Sequence, residues 1–295
     1  MSDRHVDVEG RRIYIREHGN GAPLVLLHGF PQTGEAWKQV ADKLSGRNRV
    51  FVPDLPGFGR SDAAVASDMQ TVSRTLVRAL AAAGAEKFAL VGHDWGGSIA
   101  LRIALDHPQA VEKLVVVNAP FRSLDLTRGW HFLAFNVPLI PEAAMVLFGK
   151  RLVPMLIKAG SKNKQAFDAE TMKGYGEAFS DLGHARSTLA YYRTITRSTI
   201  MRGVRGALDK LPVPMPGGRG THDNEAGPRR VQVPTLIVWG ERDPVLPPSL
   251  IPTIERDVDD VTVVRLPDIG HFVPEEAPSE LAHEIDRFLN PHRGE

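Results

Sequence analysis

Asp94, Asp243 and His271 are far apart in the chain, but their types and surroundings are those of nucleophilic catalysis. Asp94 sits in VGHDWGGSIA, after an apolar run and among Gly92, Gly96 and Gly97. The outline is that of Gly-x-Ser-x-Gly, the sharp strand-to-helix turn that exposes a serine, with aspartate in the serine's place. A carboxylate attacking an ester would form an anhydride, a poor route to hydrolysis. On a saturated carbon bearing a leaving group it forms an alkyl-enzyme ester instead. The competing role for Asp94 is to cap the following helix with its side chain.

The remaining parts of such a reaction have candidates. Asp243 follows the apolar run TLIVWG, and His271 lies in DIGHFVPEEAP, after the run VTVVRLP. Asp243 would orient His271, and His271 would activate a water to attack the carbonyl carbon of Asp94. Phe30, in LLHGFPQT, and Trp95 are placed to give backbone N–H groups to the resulting oxyanion. Pro31 is a candidate for a cis bond. His28 and Asp54 are read as loop scaffolding, His93 as a packing residue, and Glu241 and Asp268 as loop or capping carboxylates.

Two electrophiles suit a carboxylate nucleophile, an epoxide and an alkyl halide. A halide leaves as an anion and needs weak donors. An epoxide oxygen needs an acid, and an un-ionised tyrosine hydroxyl is suitable. Tyr191 and Tyr192 are adjacent on a helical segment, about 100° apart around its axis, so one of them faces the cleft. TRGWHFLAF contributes Trp130 and His131. Phe132, Phe135, Met145 and Phe148 would line a lipophilic cleft or form the core of the segment that bears them.

Elements that could bring these residues together are legible. A hairpin is expected around Glu9-Gly10, followed by Val- and Leu-rich runs alternating with helical patterns such as EAWKQVADKL and MQTVSRTLVRALAAAG. Alternation of this kind implies a mostly parallel sheet covered on both faces. From about Arg122 helical segments replace it, ending in the Pro- and Gly-rich LPVPMPGGRGTHDNEAGPRR; strand signals resume at TLIVWG and helices at SLIPTIERD and PSELAHEIDRFLN. The expected organisation is a core of residues 1–121 and 232–295 interrupted by a helical cap at 122–231. All three candidate catalytic side chains fall at one edge of the sheet, where open α/β folds bind ligands.

Composition narrows the class. With 295 residues, 42% hydrophobic, 24% charged and a net charge of +1, the chain has no electrostatic pull toward nucleic acid. It lacks cysteine, which removes disulfides and thiolate chemistry. MSDRHVDVEG has no signal-like apolar run, and no run is long enough for a membrane span. A cytoplasmic monomer or homodimer is expected. No metal-ligand spacing and no phosphate loop appear, so no cofactor is implied.

HGFPQT, GHDWGG, ERD and GHF, in this order, resemble the epoxide hydrolases of the α/β-hydrolase fold. The resemblance implies that fold, with a cap inserted after the sixth strand, and the chain order nucleophile, acid, histidine. It implies that cap residues bind and protonate the epoxide oxygen of a small lipophilic substrate. AYYR matches the family's context for one of them at Tyr192. The usual tyrosine near the start of the cap is missing, and WHF there resembles a bacterial subgroup with a His/Tyr pair, which assigns the other role to His131. Trp95, Trp130, Phe30 and Pro31 would contact substrate. Haloalkane dehalogenases share the Asp-Trp elbow but commonly have Asn where this chain has Phe30. Haloacetate dehalogenases resemble HGFPQT and WHFLAF, yet carry arginines where Trp95 and Ser98 stand. An idle ligand-binding scaffold is the alternative from outside enzymology.

Overall fold

Residues 2–63, 65–121, 134–208 and 229–291 are described by a computed structural model, the side chains of 198–208 excepted. Eight strands form one sheet. They are β1 (Ser2–Val8), β2 (Arg11–His18), β3 (Ala22–Leu27), β4 (Asn48–Pro53), β5 (Phe88–His93), β6 (Val111–Val117), β7 (Thr235–Gly240) and β8 (Val261–Leu266). Their order is β1-β2-β4-β3-β5-β6-β7-β8. The hairpin β1–β2 turns at Glu9 and Gly10, with φ of 55° and 78°, the positive pair that a two-residue hairpin turn requires. β2 meets β4 antiparallel, and every later pairing is parallel.

The apolar runs alternate between the two faces of the sheet. Val25, Leu27, Leu90, Val116 and Ile237 join the core cluster on one face. Their neighbours Leu24, Leu26, Val91, Val115, Val117 and Leu236 join the cluster on the other. Each buried side chain of this size contributes about 1.5–3 kcal/mol. Helices α1 (Lys38–Leu44) and α9 (Pro278–Leu289) close the second face through Val40, Leu44, Leu281 and Ile285. Helices α2 (Met69–Ala82) and α3 (Trp95–Asp106) close the first through Val72, Leu76, Ile99 and Ile103.

Between β6 and β7 the described residues include three long helices, α4 (Ile140–Gly160), α5 (Ala169–Ala178) and α6 (Leu182–Leu208). They lie over the C-terminal ends of the parallel strands: Tyr191 of α6 reaches the Pro56 carbonyl beyond β4, and His271 N–H bonds to the Gly160 carbonyl at the end of α4. The helix expected from SLIPTIERD is shorter, α7 (Ile251–Glu255), preceded by a 3₁₀ turn at Pro248–Leu250. EAWKQVADKL likewise divides into a 3₁₀ turn, Gly34–Trp37, and α1. A last short helix, α8 (Val273–Glu276), follows His271. Among the described residues no helix is long and apolar enough to cross a membrane.

Candidate active site

β3 and β5 are neighbours, and the strand order runs outward from them in opposite directions. The crevice beyond their C-terminal ends is where open sheets bind ligands. Asp94 follows β5 with φ 51° and ψ −119°, a backbone conformation that costs a non-glycine residue free energy and recurs at functional sites. Its side chain makes no capping bond to α3, so the capping role does not describe it. The elbow depends on missing side chains around it. A Cβ on Gly29 would lie 2.4 Å from the Cβ of Asp94, and one on Gly92 would lie 2.2 Å from the Gly96 carbonyl oxygen.

Asp94 is buried, and Phe30 N–H donates to its Oδ2 at 2.8 Å. The Trp95 N–H also acts on it, favouring the ionised form. The two expected oxyanion donors therefore converge on the carboxylate. The Phe30–Pro31 bond is cis. His28 holds this loop, with Leu55 N–H donating to its Nε2 at 2.9 Å. Asp54 accepts from the N–H groups of Gly34 and Arg60. Both are the scaffolding expected of them.

Asp243 follows β7 and is saturated with donors. Oδ1 accepts from Val245 and Leu246 N–H at 2.7 and 2.8 Å, and Oδ2 accepts from Asn118 Nδ2 at 2.6 Å. His271 Nδ1 lies 2.7 Å from the same Oδ2. A carboxylate there fixes the proton on Nδ1 and leaves Nε2 facing Asp94, 4.0 Å from its Oδ1. Burial works to lower the pKa of His271, but Asp243 and then Asp94 outweigh it and push it up to about 9. Burial raises the pKa of Asp94, opposed by the His271 charge and the two backbone N–H groups. With His271 protonated, the two form a buried ion pair.

Three supporting residues were not assigned from sequence. Asn118, at φ 37° beyond β6, ties Asp243 to the Gly240 N–H, which its Oδ1 accepts at 2.8 Å. Glu276 accepts from the N–H groups of Gly270, Phe272, Lys162 and Asn163, and so fixes the His271 loop to the end of α4. Glu275, its neighbour, is buried against Tyr175 and Gln32. The adjacent pair of glutamates in GHFVPEEAP was the one sequence signal available. His93, expected only to pack, does more: its Nε2 donates to the His271 carbonyl at 2.8 Å while its ring lies 5.0 Å from the His271 ring. Burial and the His271 charge keep its pKa well below the usual value, so it stays neutral.

An aromatic box lies above the carboxylate. The Phe30 ring meets Phe135, Phe179 and Tyr192 at 5.8, 5.5 and 5.3 Å, and Trp95 meets Tyr192 at 4.8 Å and 87°. The two tyrosines divide as helical geometry requires. Tyr191 turns toward Phe58 and gives its hydroxyl to the Pro56 carbonyl at 2.9 Å, whereas Tyr192 packs on Phe30, Trp95 and Phe135. Burial, and then the Asp94 charge, hold the Tyr192 hydroxyl well above the ordinary tyrosine pKa, so it remains a donor. Trp130, His131 and Phe132 lie outside the described residues. Met145 is in the core and Phe135 borders the box, but Phe148 is 60% exposed and belongs to neither cleft nor core. Among the described residues no cluster of His, Asp and Glu has the arrangement of a metal site.

Residues 22–278 match the α/β hydrolase fold family. The chain is 28% identical to epoxide hydrolase 3 of Xenopus tropicalis, over 94% of this chain and 74% of that protein. It is 25% identical to haloalkane dehalogenase 2 of Mycobacterium bovis, over 98% and 95%. Among solved structures, ALR0039, a putative α/β hydrolase from Nostoc sp. PCC 7120, superposes with a TM-score of 0.83 at 27% identity, covering 98% and 97% of the two chains. The sheet order, the helical insertion after β6 and the elbow at Asp94 agree with that match, and the chain belongs to the α/β hydrolase fold family, with relatives among both epoxide hydrolases and haloalkane dehalogenases.

Proposed function

We propose that the protein is an epoxide hydrolase that opens a small lipophilic epoxide on Asp94. The observation that carries this reading is the setting of that carboxylate: pinned by Phe30 N–H on one side, 4.0 Å from His271 Nε2 on the other, beneath the buried ring of Tyr192. In the first step an Asp94 oxygen attacks an epoxide carbon and the ring C–O bond breaks. Tyr192, with His131 as its partner, gives the ring oxygen its proton. A hydroxyalkyl ester of Asp94 results. The proton on His271 then returns to the Tyr192 oxygen through solvent, which leaves Nε2 free to act as a base.

In the second step His271 takes a proton from water, and the hydroxide adds to the carbonyl carbon of the ester. The Phe30 and Trp95 N–H groups stabilise the oxyanion, a type of contact worth about 3–4 kcal/mol per donor. Collapse releases the diol with an oxygen from Asp94, and the water oxygen stays in the carboxyl group. Residues 122–231 act as the cap over a core of 1–121 and 232–295. Phe30, Pro31, Trp95 and Trp130 surround the substrate.

A second reading, dehalogenation, has one observation in its favour. The Nε1 of Trp95 is buried, acts on the Tyr192 hydroxyl and makes no well-formed hydrogen bond among the described residues, which suits a donor to a departing halide. Incubation with styrene oxide, 1-bromobutane and fluoroacetate separates the two. The epoxide reading predicts diol from the first and no halide from the others. His271→Gln should accumulate an Asp94 ester with styrene oxide, seen as added mass. Halide release with no diol would overturn the assignment, and no adduct with any of the three would favour an idle scaffold.

A further inference from the structure

Glu275 is a buried carboxyl group that the two steps above do not use. It stands four residues beyond His271, on α8. The Tyr175 hydroxyl, on α5 of the insertion, donates to its Oε1 at 2.9 Å. The amide of Gln32 contacts its Oε2 from the loop that carries Phe30 and Pro31. One side chain therefore joins the oxyanion loop, the turn bearing the base and a helix overhead. These are the parts whose relative placement the chemistry depends on, and a displacement of an ångström between them costs about a hundredfold in rate. Phe179, just beyond α5, packs its ring on both Phe30 and Phe58, so the position of α5 sets a wall of the aromatic box.

We propose that Glu275 is a positioning residue that, through Tyr175 and Gln32, holds the oxyanion loop, the His271 turn and the cap helix α5 in one closed arrangement. The proposal rests on the epoxide hydrolase reading for its role in turnover, but not for the latch itself. Burial pushes the carboxyl group up to about 8, against the hydrogen bonds from Tyr175 and Gln32. The titratable groups facing the pair are Asp168 at the N-terminus of α5, Glu276 on Glu275's own helix, and Glu35, which acts on Tyr175. Arg16 and Lys38 line the same cleft as Tyr175, and both pair with Glu35 rather than with Glu275. Gln32 suits both protonation states. As oriented its amide N–H donates to the carboxylate, while its own Oε1 is buried without a partner. Turning the amide presents that oxygen to the proton of the neutral acid. An ionised Glu275 needs water to stabilise it, and the cleft lined by Gly174, Tyr175 and Ala178 of α5 brings water to that side of the latch.

Amide hydrogen exchange on the full chain tests the latch without any substrate. Wild type, Glu275→Gln and Tyr175→Phe are compared at pH 6.5 and 9.5, with rates corrected for intrinsic exchange. Wild type should lose at least fivefold protection across Ala169–Ala178 at the higher pH. Glu275→Gln, which cannot ionise, should keep its protection at both, and Tyr175→Phe should be unprotected at both. With styrene oxide, Tyr175→Phe, which frees α5 but leaves the Gln32–Glu275 contact between the oxyanion loop and the His271 turn, should raise KM at least fivefold and change kcat less than twofold. Protection of α5 that ignores both pH and the loss of the Tyr175 hydroxyl would overturn the proposal. A latch that responds as expected in a protein that ignores epoxides would instead remove the reaction and leave the positioning role.

Discussion

At the residue scale, His271 stands between two carboxylates, bonded to Asp243 and 4.0 Å from Asp94. In the proposed cycle Asp94 loses its charge on becoming an ester. The pKa of His271, up to about 9 when both are ionised, must therefore fall once Asp94 is alkylated. A base works only when deprotonated, so hydrolysis of the ester should quicken as pH rises and level off at a pKa below 9. Single-turnover decay of the ester from pH 5 to 10 gives this profile directly. A rate independent of pH across that range would contradict the assignment of His271. The trio Asp94, Asp243 and His271 was legible in sequence because each follows a strand-like run and their types are chemically distinctive. Asn118 and His93 were not, since nothing in VVNAP or VGHD tells that one will meet a carboxylate 125 residues on and the other a carbonyl 178 residues on.

At the scale of elements, the site is a matter of close approach between β3 and β5. Gly29 follows β3, and a methyl group there would press on the Asp94 side chain at 2.4 Å. Gly29→Ala should displace Asp94 from the Phe30 N–H and lower the rate of ester formation by about a hundredfold. Its urea midpoint should shift by far less than that of a core deletion. Burst amplitudes with styrene oxide measure the first effect and equilibrium unfolding the second. Strands were read well because a buried parallel strand is a continuous apolar run, as Phe88–His93 and Thr235–Gly240 are. The helix between β7 and β8 was read less well, whereas PSELAHEIDRFLN matches Pro278–Leu289. SLIPTIERD has helical spacing, but Asp257 instead offers its carbonyl to Val231 N–H in an isolated bridge that no local pattern announces, and α7 stops at Glu255.

For the whole molecule, Tyr191 ties the insertion to the sheet through the Pro56 carbonyl, and the proposed reaction gives its neighbour Tyr192 the substrate. Tyr191→Phe leaves the Pro56 carbonyl without its donor and should lower stability by about 1–2 kcal/mol, with ester formation little changed. Tyr192→Phe should do the reverse: stability near wild type, and epoxide opening slowed at least tenfold. Urea unfolding and single-turnover kinetics on the pair distinguish the two roles, and equal effects on both quantities would contradict the division. The helical insertion itself was legible as a loss of strand signal after β6. Which face of α6 looks inward was not, because two neighbouring tyrosines satisfy the same pattern. The claim beneath all of this is that the side chain of Asp94 becomes alkylated. The most direct test is one turnover of styrene oxide with excess enzyme in ¹⁸O-water, followed by mass analysis of diol and protein. Alkylation of Asp94 requires an unlabelled diol and a heavy oxygen in the peptide containing Asp94; heavy oxygen in the diol from that first turnover, with none in the protein, would contradict it.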